Sequence, residues 1–193
     1  MRKYSRWKVL VVALAAILAT YLTQPTLAYY STVGRATNVV TSGKISFMIH
    51  EYTADGSRFP EEGVYVIPGD VVGKKVTIEN VCTHPFYLRV KLVHGVNDDA
   101  LSVEDCLKVD LNTDDWIAQE DGYLYYRYIV KPEEVTSPVF TQVEIVGDRV
   151  DQNYLGKTLS LSVTAHAVQS ENNPADAPWD AAGWPSDAGG GAA

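Results

Sequence analysis

Cysteine is nearly absent from this chain. Two residues, Cys82 and Cys106, stand among 193, so neither a disulfide-rich scaffold nor a cysteine-ligated zinc module is available. They are 24 apart, in neither a Cys-x-x-Cys nor a metal-ligand spacing, and two readings stay open: one isolated bridge, or two buried thiols. Basic charge is also scarce, with 16 Lys and Arg against 24 Asp and Glu and a net charge of −8. Backbone binding to nucleic acid needs clustered cations, so a nucleic-acid partner is not expected. Catalytic patterns are missing too. There is no Gly-x-Ser-x-Gly elbow, and His50, His84, His94 and His166 are scattered. His50-Glu51 begins like a zinc-helix motif, but the residue four after His50 is Ala54, in a stretch with strand periodicity. The paired aspartates of "GVNDDALS" and "LNTDDW" do not fit a twelve-residue calcium loop and read as solvated acidic loops. The expectation is a non-enzymatic protein with no cofactor and no metal.

No apolar run reaches the ~20 residues of a membrane-spanning helix. The longest, "VLVVALAAILATYL" (9–22), follows a basic start of Arg2, Lys3, Arg6 and Lys8 and precedes "TQPTLA". Thr26 and Ala28 then sit at the −3 and −1 positions that signal peptidase reads, so residues 1–28 are predicted to be a signal peptide cleaved before Tyr29. The rival is a short uncleaved anchor with Trp7 and Tyr21 at its ends. Cleavage would remove four basic residues and no acidic one, leaving 12 against 24 and a mature charge of −12. Such a charge keeps an exported protein soluble. Membrane contact is expected only through the signal segment before cleavage.

What is abundant is alternation. "KISFMIHEY" places Ile45, Phe47 and Ile49 on one face; "KKVTIENV" does so with Val76, Ile78 and Asn80. "FYLRVKLVH" points Phe86, Leu88, Val90 and Leu92 inward and Tyr87, Arg89, Lys91 and Val93 into water. "LKVDL", "VFTQVEIV" and "KTLSLSVTAHAVQ" repeat the pattern, the last with Leu159, Leu161, Val163 and Ala165. A period of two is the signature of half-buried strands. Asp121-Gly122 predicts a hairpin between Trp116–Gln119 and Tyr123–Tyr128. In its second strand either Leu124 and Tyr126, or Tyr123, Tyr125 and Arg127, face the core. Only "DALSVEDCLKV" has helical spacing, and it is short. Many short strands with no internal repeat predict an antiparallel β-sandwich over 44–170. Residues 171–193, rich in Ala, Gly, Pro and Asp without periodicity, are predicted to be a disordered tail. Trp179 and Trp184 stand out there as residues able to dock on the domain or on a neighbour.

The ordered series of these pieces resembles the TasA/camelysin-like family of exported proteins with SipW-type signal peptides. The resemblance is carried by Ala28, Tyr29, Tyr30 and Ser31, then Ser42, Gly43, Ile45 and Ile49. It continues through "VIPGDVVGKKVTIENVCTHPFYLRVKL", "DGYLYYRYIVKPEEVTSPVFTQV" and "LSLSVTAHAVQSEN", up to about residue 172. It implies a jelly-roll β-sandwich secreted by a Gram-positive bacterium and built into biofilm-matrix fibres or the cell surface. It further implies that the segment after cleavage is a donor strand completing the sheet of the next subunit. The metallopeptidase label of camelysin relatives finds no ligand motif in this chain.

Residues 29–43 therefore have two readings. Tyr29, Tyr30, Val33, Val39 and Val40 are either a donor strand for a second copy, joined edge-on by main-chain bonds, or else an ordinary flexible leader or a first strand within their own domain. The expected partners are the chain itself in head-to-tail fibres, other matrix subunits, and signal peptidase during export. The alternative function is a monomeric secreted module that contacts a partner through Tyr123–Tyr128.

Overall fold

The structure, a computed structural model, describes residues 30–31, 36–40, 45–103 and 105–185. Thr26, Ala28, Tyr29 and Val33 lie outside the described residues, as does the whole predicted signal segment. Among the described residues the chain is all-β, with two short 3-10 turns, Gln152–Tyr154 and Pro178–Asp180. Its strands are β1 (Tyr30–Ser31), β2 (Ala36–Val40), β3 (Phe47–Tyr52), β4 (Tyr65–Val66), β5 (Val71–Gly73) and β6 (Lys75–Asn80). They continue as β7 (Phe86–Val96), β8 (Leu107–Val109), β9 (Trp116–Ala118), β10 (Leu124–Tyr126), β11 (Gln142–Ile145) and β12 (Leu159–Gln169).

The largest sheet has the order β2-β12-β7-β10-β9. Its spine is the antiparallel pair of β7 and β12, in unbroken register from Leu159↔Val96 to Gln169↔Phe86. β2 alone runs parallel to its neighbour. Facing this sheet are the β3-β6 pair and the β5-β11-β8 sheet, whose inward side chains share one core with it. Residues 134–141 link the two smaller sheets, the Val139 N–H donating to Val76 at 2.9 Å and the Thr136 N–H to Ile78 at 2.8 Å. Gly73, the last residue of β5, is required by packing: a Cβ there would meet Ala54 Cβ at 2.6 Å.

The predicted inward faces form that core. Ile45, Phe47, Val76, Ile78, Phe86, Leu88, Val90, Leu159, Leu161, Val163 and Ala165 are all buried in it. Asn80 holds an inward position because all its polar atoms are satisfied. Its Nδ2 donates to the carbonyls of His84 (2.9 Å) and Val130 (3.0 Å), and its Oδ1 accepts from Cys82 N–H. Losing such partners in a buried site would cost ~1–3 kcal/mol. The hairpin forms with Tyr126 opposite Trp116, and Leu124 and Tyr126 are the core-facing pair. Its loop is one residue longer than a two-residue turn: Gly122 N–H donates to Gln119 and Gln119 N–H to Tyr123. Only Gly122 of the Asp-Gly pair takes positive φ, at 79°.

Three expectations are corrected. "DALSVEDCLKV" makes no helix: it forms turns closed by Leu101 N–H to Asp98 and Cys106 N–H to Val103, then enters β8. Tyr87 and Arg89 do not face water; each is 6% exposed. They are covered by the segment expected to be disordered, whose described part, to Pro185, folds back over them. Ala181 and Trp184 pack against Tyr87 and Val168 in a second small cluster. Docking, rather than any periodicity of its own, orders that segment.

Candidate functional site

Two places on the large sheet could carry function: its β2 edge and its outer face. At the edge, Ala36–Val40 lies parallel to β12 from Val163↔Ala36 to Ala167↔Val40, so Val39 stands opposite His166 and Val40 opposite Ala167. β12 is bonded on its other side to β7, and β2 is the terminal strand. Upstream, Tyr30 and Ser31 pair antiparallel with Val66 and Tyr65 of β4. The described part of the predicted donor segment is thus extended and paired within its own chain.

The outer face is built around Arg89. β7 presents Arg89 beside Tyr87, β10 presents Tyr125, the hairpin loop supplies Asp121, and β12 supplies His166. The guanidinium lies 3.7 Å from the Tyr123 ring centroid, a close cation–π stack. Its Nη1 donates to Tyr125 Oη at 2.9 Å and approaches Asp121 Oδ2 at 3.4 Å. Nη2 meets His166 Nδ1 at 3.3 Å, the ring nitrogen accepting. The Tyr125 hydroxyl in turn donates to Asp121 at 2.6 Å. Burial, and then the hydrogen bond to Asp121, push the Tyr125 hydroxyl above its usual pKa, with Arg89 opposing. The tail completes the site: Arg89 Nη2 donates to the Pro185 carbonyl at 2.5 Å and lies 4.9 Å from the Trp184 ring. Trp179 and Trp184 both meet Tyr125 edge-on, at 6.3 and 5.4 Å.

Beside this face, Tyr87, Arg127, Tyr128, Ile129, Lys131 and residues 175–178 line an open groove of about 520 Å³. Tyr128 is half-exposed, stacked edge-on to Tyr126 at 5.6 Å.

The cysteines are not bridged. Cys82 donates from its thiol to the His84 carbonyl at 3.2 Å, in the turn before β7. Cys106 is buried beside β8 with the carbonyls of Ser102 and Arg149 as its partners. The loop that a bridge would have closed is instead held by packing of Cys106 in the core and by the Asn80 network around Cys82. The histidines also separate. His50 pairs with Glu79 at 2.7 Å, His84 with Glu171 at 2.9 Å, and His94 sits half-buried at the far end of β7. Among the described residues no three His, Cys, Asp or Glu side chains converge as a metal-ligand group.

Lys74 is a feature that the sequence did not reveal. It is 1% exposed, with Nζ 3.1 Å from Glu51 and 4.9 Å from the Phe59 ring centroid. Burial pulls its ammonium below the usual pKa, partly countered by Glu51. Its neighbour Lys75 has the same letter but is only partly buried, its Nζ 5.5 Å from the Tyr52 ring centroid, so composition offers no signal that separates them.

No family model, curated protein or solved structure matches this chain. Among the described residues no helix is long and apolar enough to cross a membrane.

Proposed function

We propose that this is an exported structural protein that self-assembles into extracellular matrix fibres by exchanging its N-terminal strand, on a jelly-roll-like sandwich. The observation that carries this reading is the position of Ala36–Val40: among the described residues it is the terminal strand of its sheet, hydrogen-bonded there to β12. Moved away, it would leave β12 with an open edge of unchanged register, which the same segment of another copy fills with the same main-chain bonds. In the isolated chain the segment fills its own edge; in a fibre it fills the next. A head-to-tail contact of this kind does not close and so yields filaments. The resemblance to exported matrix proteins and the acidic mature chain support the same reading.

The test is negative-stain microscopy of the mature chain beside one lacking residues 29–40. Filaments are expected from the first and none from the second, which keeps its sandwich. Proline at Val39 or Val40 should act in the same direction, because it removes a ladder donor. Normal filaments from the truncated chain would overturn the reading. A lower melting temperature with filaments unchanged would return the segment to its own domain alone.

A second reading is a secreted monomeric module that grips a partner at the groove beside Tyr128 and Ile129, both partly exposed. A stable monomer under all assembly conditions would favour it. Chelator-sensitive caseinolysis that survives repurification would instead move the function to a camelysin-like metallopeptidase.

A further inference from the structure

The tail that covers the outer face does not belong to the main core. Ala181 and Trp184 form their own cluster with Tyr87 and Val168, so the tail can leave without opening the sandwich. The face it would leave is already built. Arg89 is fixed by Tyr123, Tyr125, Asp121 and His166, all from the domain itself. A cation held in place before its ligand arrives spends little entropy on binding. Yet the domain alone does not satisfy it: one guanidinium donor goes to the Pro185 carbonyl, and Nε is buried without a partner. Bare, the face would be a row of aromatic rings around that cation, a patch that calls for a cover.

The tail's half of the contact is small and peptide-like. It consists of the Trp184 ring on the guanidinium, the Pro185 main-chain carbonyl and the buried Ala181 methyl. Trp184 is set by a local turn, its Nε1 donating to the Pro178 carbonyl at 3.2 Å. Asn173 clamps the same turn, donating to Ala182 at 2.9 Å and accepting from its N–H at 3.0 Å. The peptide therefore carries much of its own shape, and every copy of the chain carries the same peptide.

We propose that the Arg89 face is a peptide-docking seat, and that the Ala181–Pro185 segment of a second copy takes it in trans. The contacts are identical within and between chains. Which one prevails is set by the effective concentration of the tethered tail, of millimolar order for a short link, against the local concentration of copies. Tail exchange uses another segment and another part of the sheet than the β2 edge, so it stands without the strand-exchange reading. It gives neighbouring subunits a second, independent link.

The first test uses a fluorescent peptide of residues 171–185 and the full-length Trp184→Ala chain, whose own tail has lost its anchor. One peptide should bind per chain, about tenfold or more tighter than to the wild-type chain, where the tethered tail competes. The same peptide carrying Trp184→Ala should not bind. Absence of binding to a variant chain that still melts cooperatively would overturn the seat. The second test uses otherwise wild-type chains with a benzophenone side chain in place of Trp179, mixed as light and heavy nitrogen forms. Irradiation should join light tails to heavy β10 peptides, increasingly so as concentration rises. Products that stay within one isotope form at every concentration would overturn the exchange. This second result also decides the matter if Trp184→Ala does not fold. Deleting residues 29–40 should change neither readout, which separates this contact from the β2 edge.

Discussion

The two faces of β7 are buried to nearly the same degree by different physics. On the inner face Phe86, Leu88 and Val90 are fully covered by apolar side chains from the facing sheets. On the outer face Tyr87 and Arg89 are 6% exposed, yet what closes over them, beyond the Tyr123 ring on the guanidinium, is a tail whose segment begins after the last strand. The inner face is stabilised by area removed from water. The outer face is stabilised by a cation stacked on a ring and by one guanidinium–carbonyl hydrogen bond. Burial alone therefore does not identify the core. What identifies it is whether the covering atoms belong to the sheets or to a removable segment.

The largest effect should come from the inner face. Leu88→Ala is expected to cost about 3 kcal/mol, the transfer of a fully buried leucine plus the cavity it leaves. Trp184→Ala should cost about 1 kcal/mol, the order of a partly desolvated cation–π contact. Urea denaturation of both variants checks the pair. Equal losses would break the comparison, since the tail would then be as much a part of the cooperative fold as the sheets.

The difference between the faces also explains what could be read from the sequence. Period-two alternation located β3, β6, β7 and β12 and their inward residues, because each inner face answers to the single rule of an apolar core. The tail has no period to read. Its order comes from Trp184, Ala181 and Pro185 meeting residues about 60 to 95 positions earlier, a match visible only once β7 and β10 are adjacent. The two tryptophans were the one signal in that stretch. For the same reason Arg89 reads as a solvent-facing charge in the alternation, although its long, weakly hydrated side chain suits stacking on aromatic rings. At the β2 edge the extended conformation was legible. Its partner was not, because a short, mostly uncharged segment fits a sheet edge in its own chain or in another's equally well. The unpaired cysteines illustrate the same limit: spacing permits a bridge, while placement near Asn80 and in the core gives each thiol a separate role.

The smallest effect belongs to the far end of the inner face, where burial fades. Beyond Val90 the inward positions of β7 are Leu92, His94 and Val96, all only partly buried, with His94 opposite Leu161 of β12. Partial burial pushes the His94 imidazole below its usual pKa of 6.5, and the nearby Asp105 carboxylate offsets part of that shift. The sign follows from linkage. Between the lowered folded pKa and 6.5 the unfolded chain binds more protons than the folded one, so stability rises with pH across that window. Acidification through it should weaken the fold, and the penalty should level off once the folded imidazole is also protonated. His94→Gln removes the titrating group, so the difference in stability between wild type and variant should change with pH below 6.5 and stay constant above it. Urea midpoints taken from pH 5 to 8 provide the measurement. A wild-type and variant pair that run parallel over the whole range would place His94 in water, and the inner face of β7 would then end at Leu92.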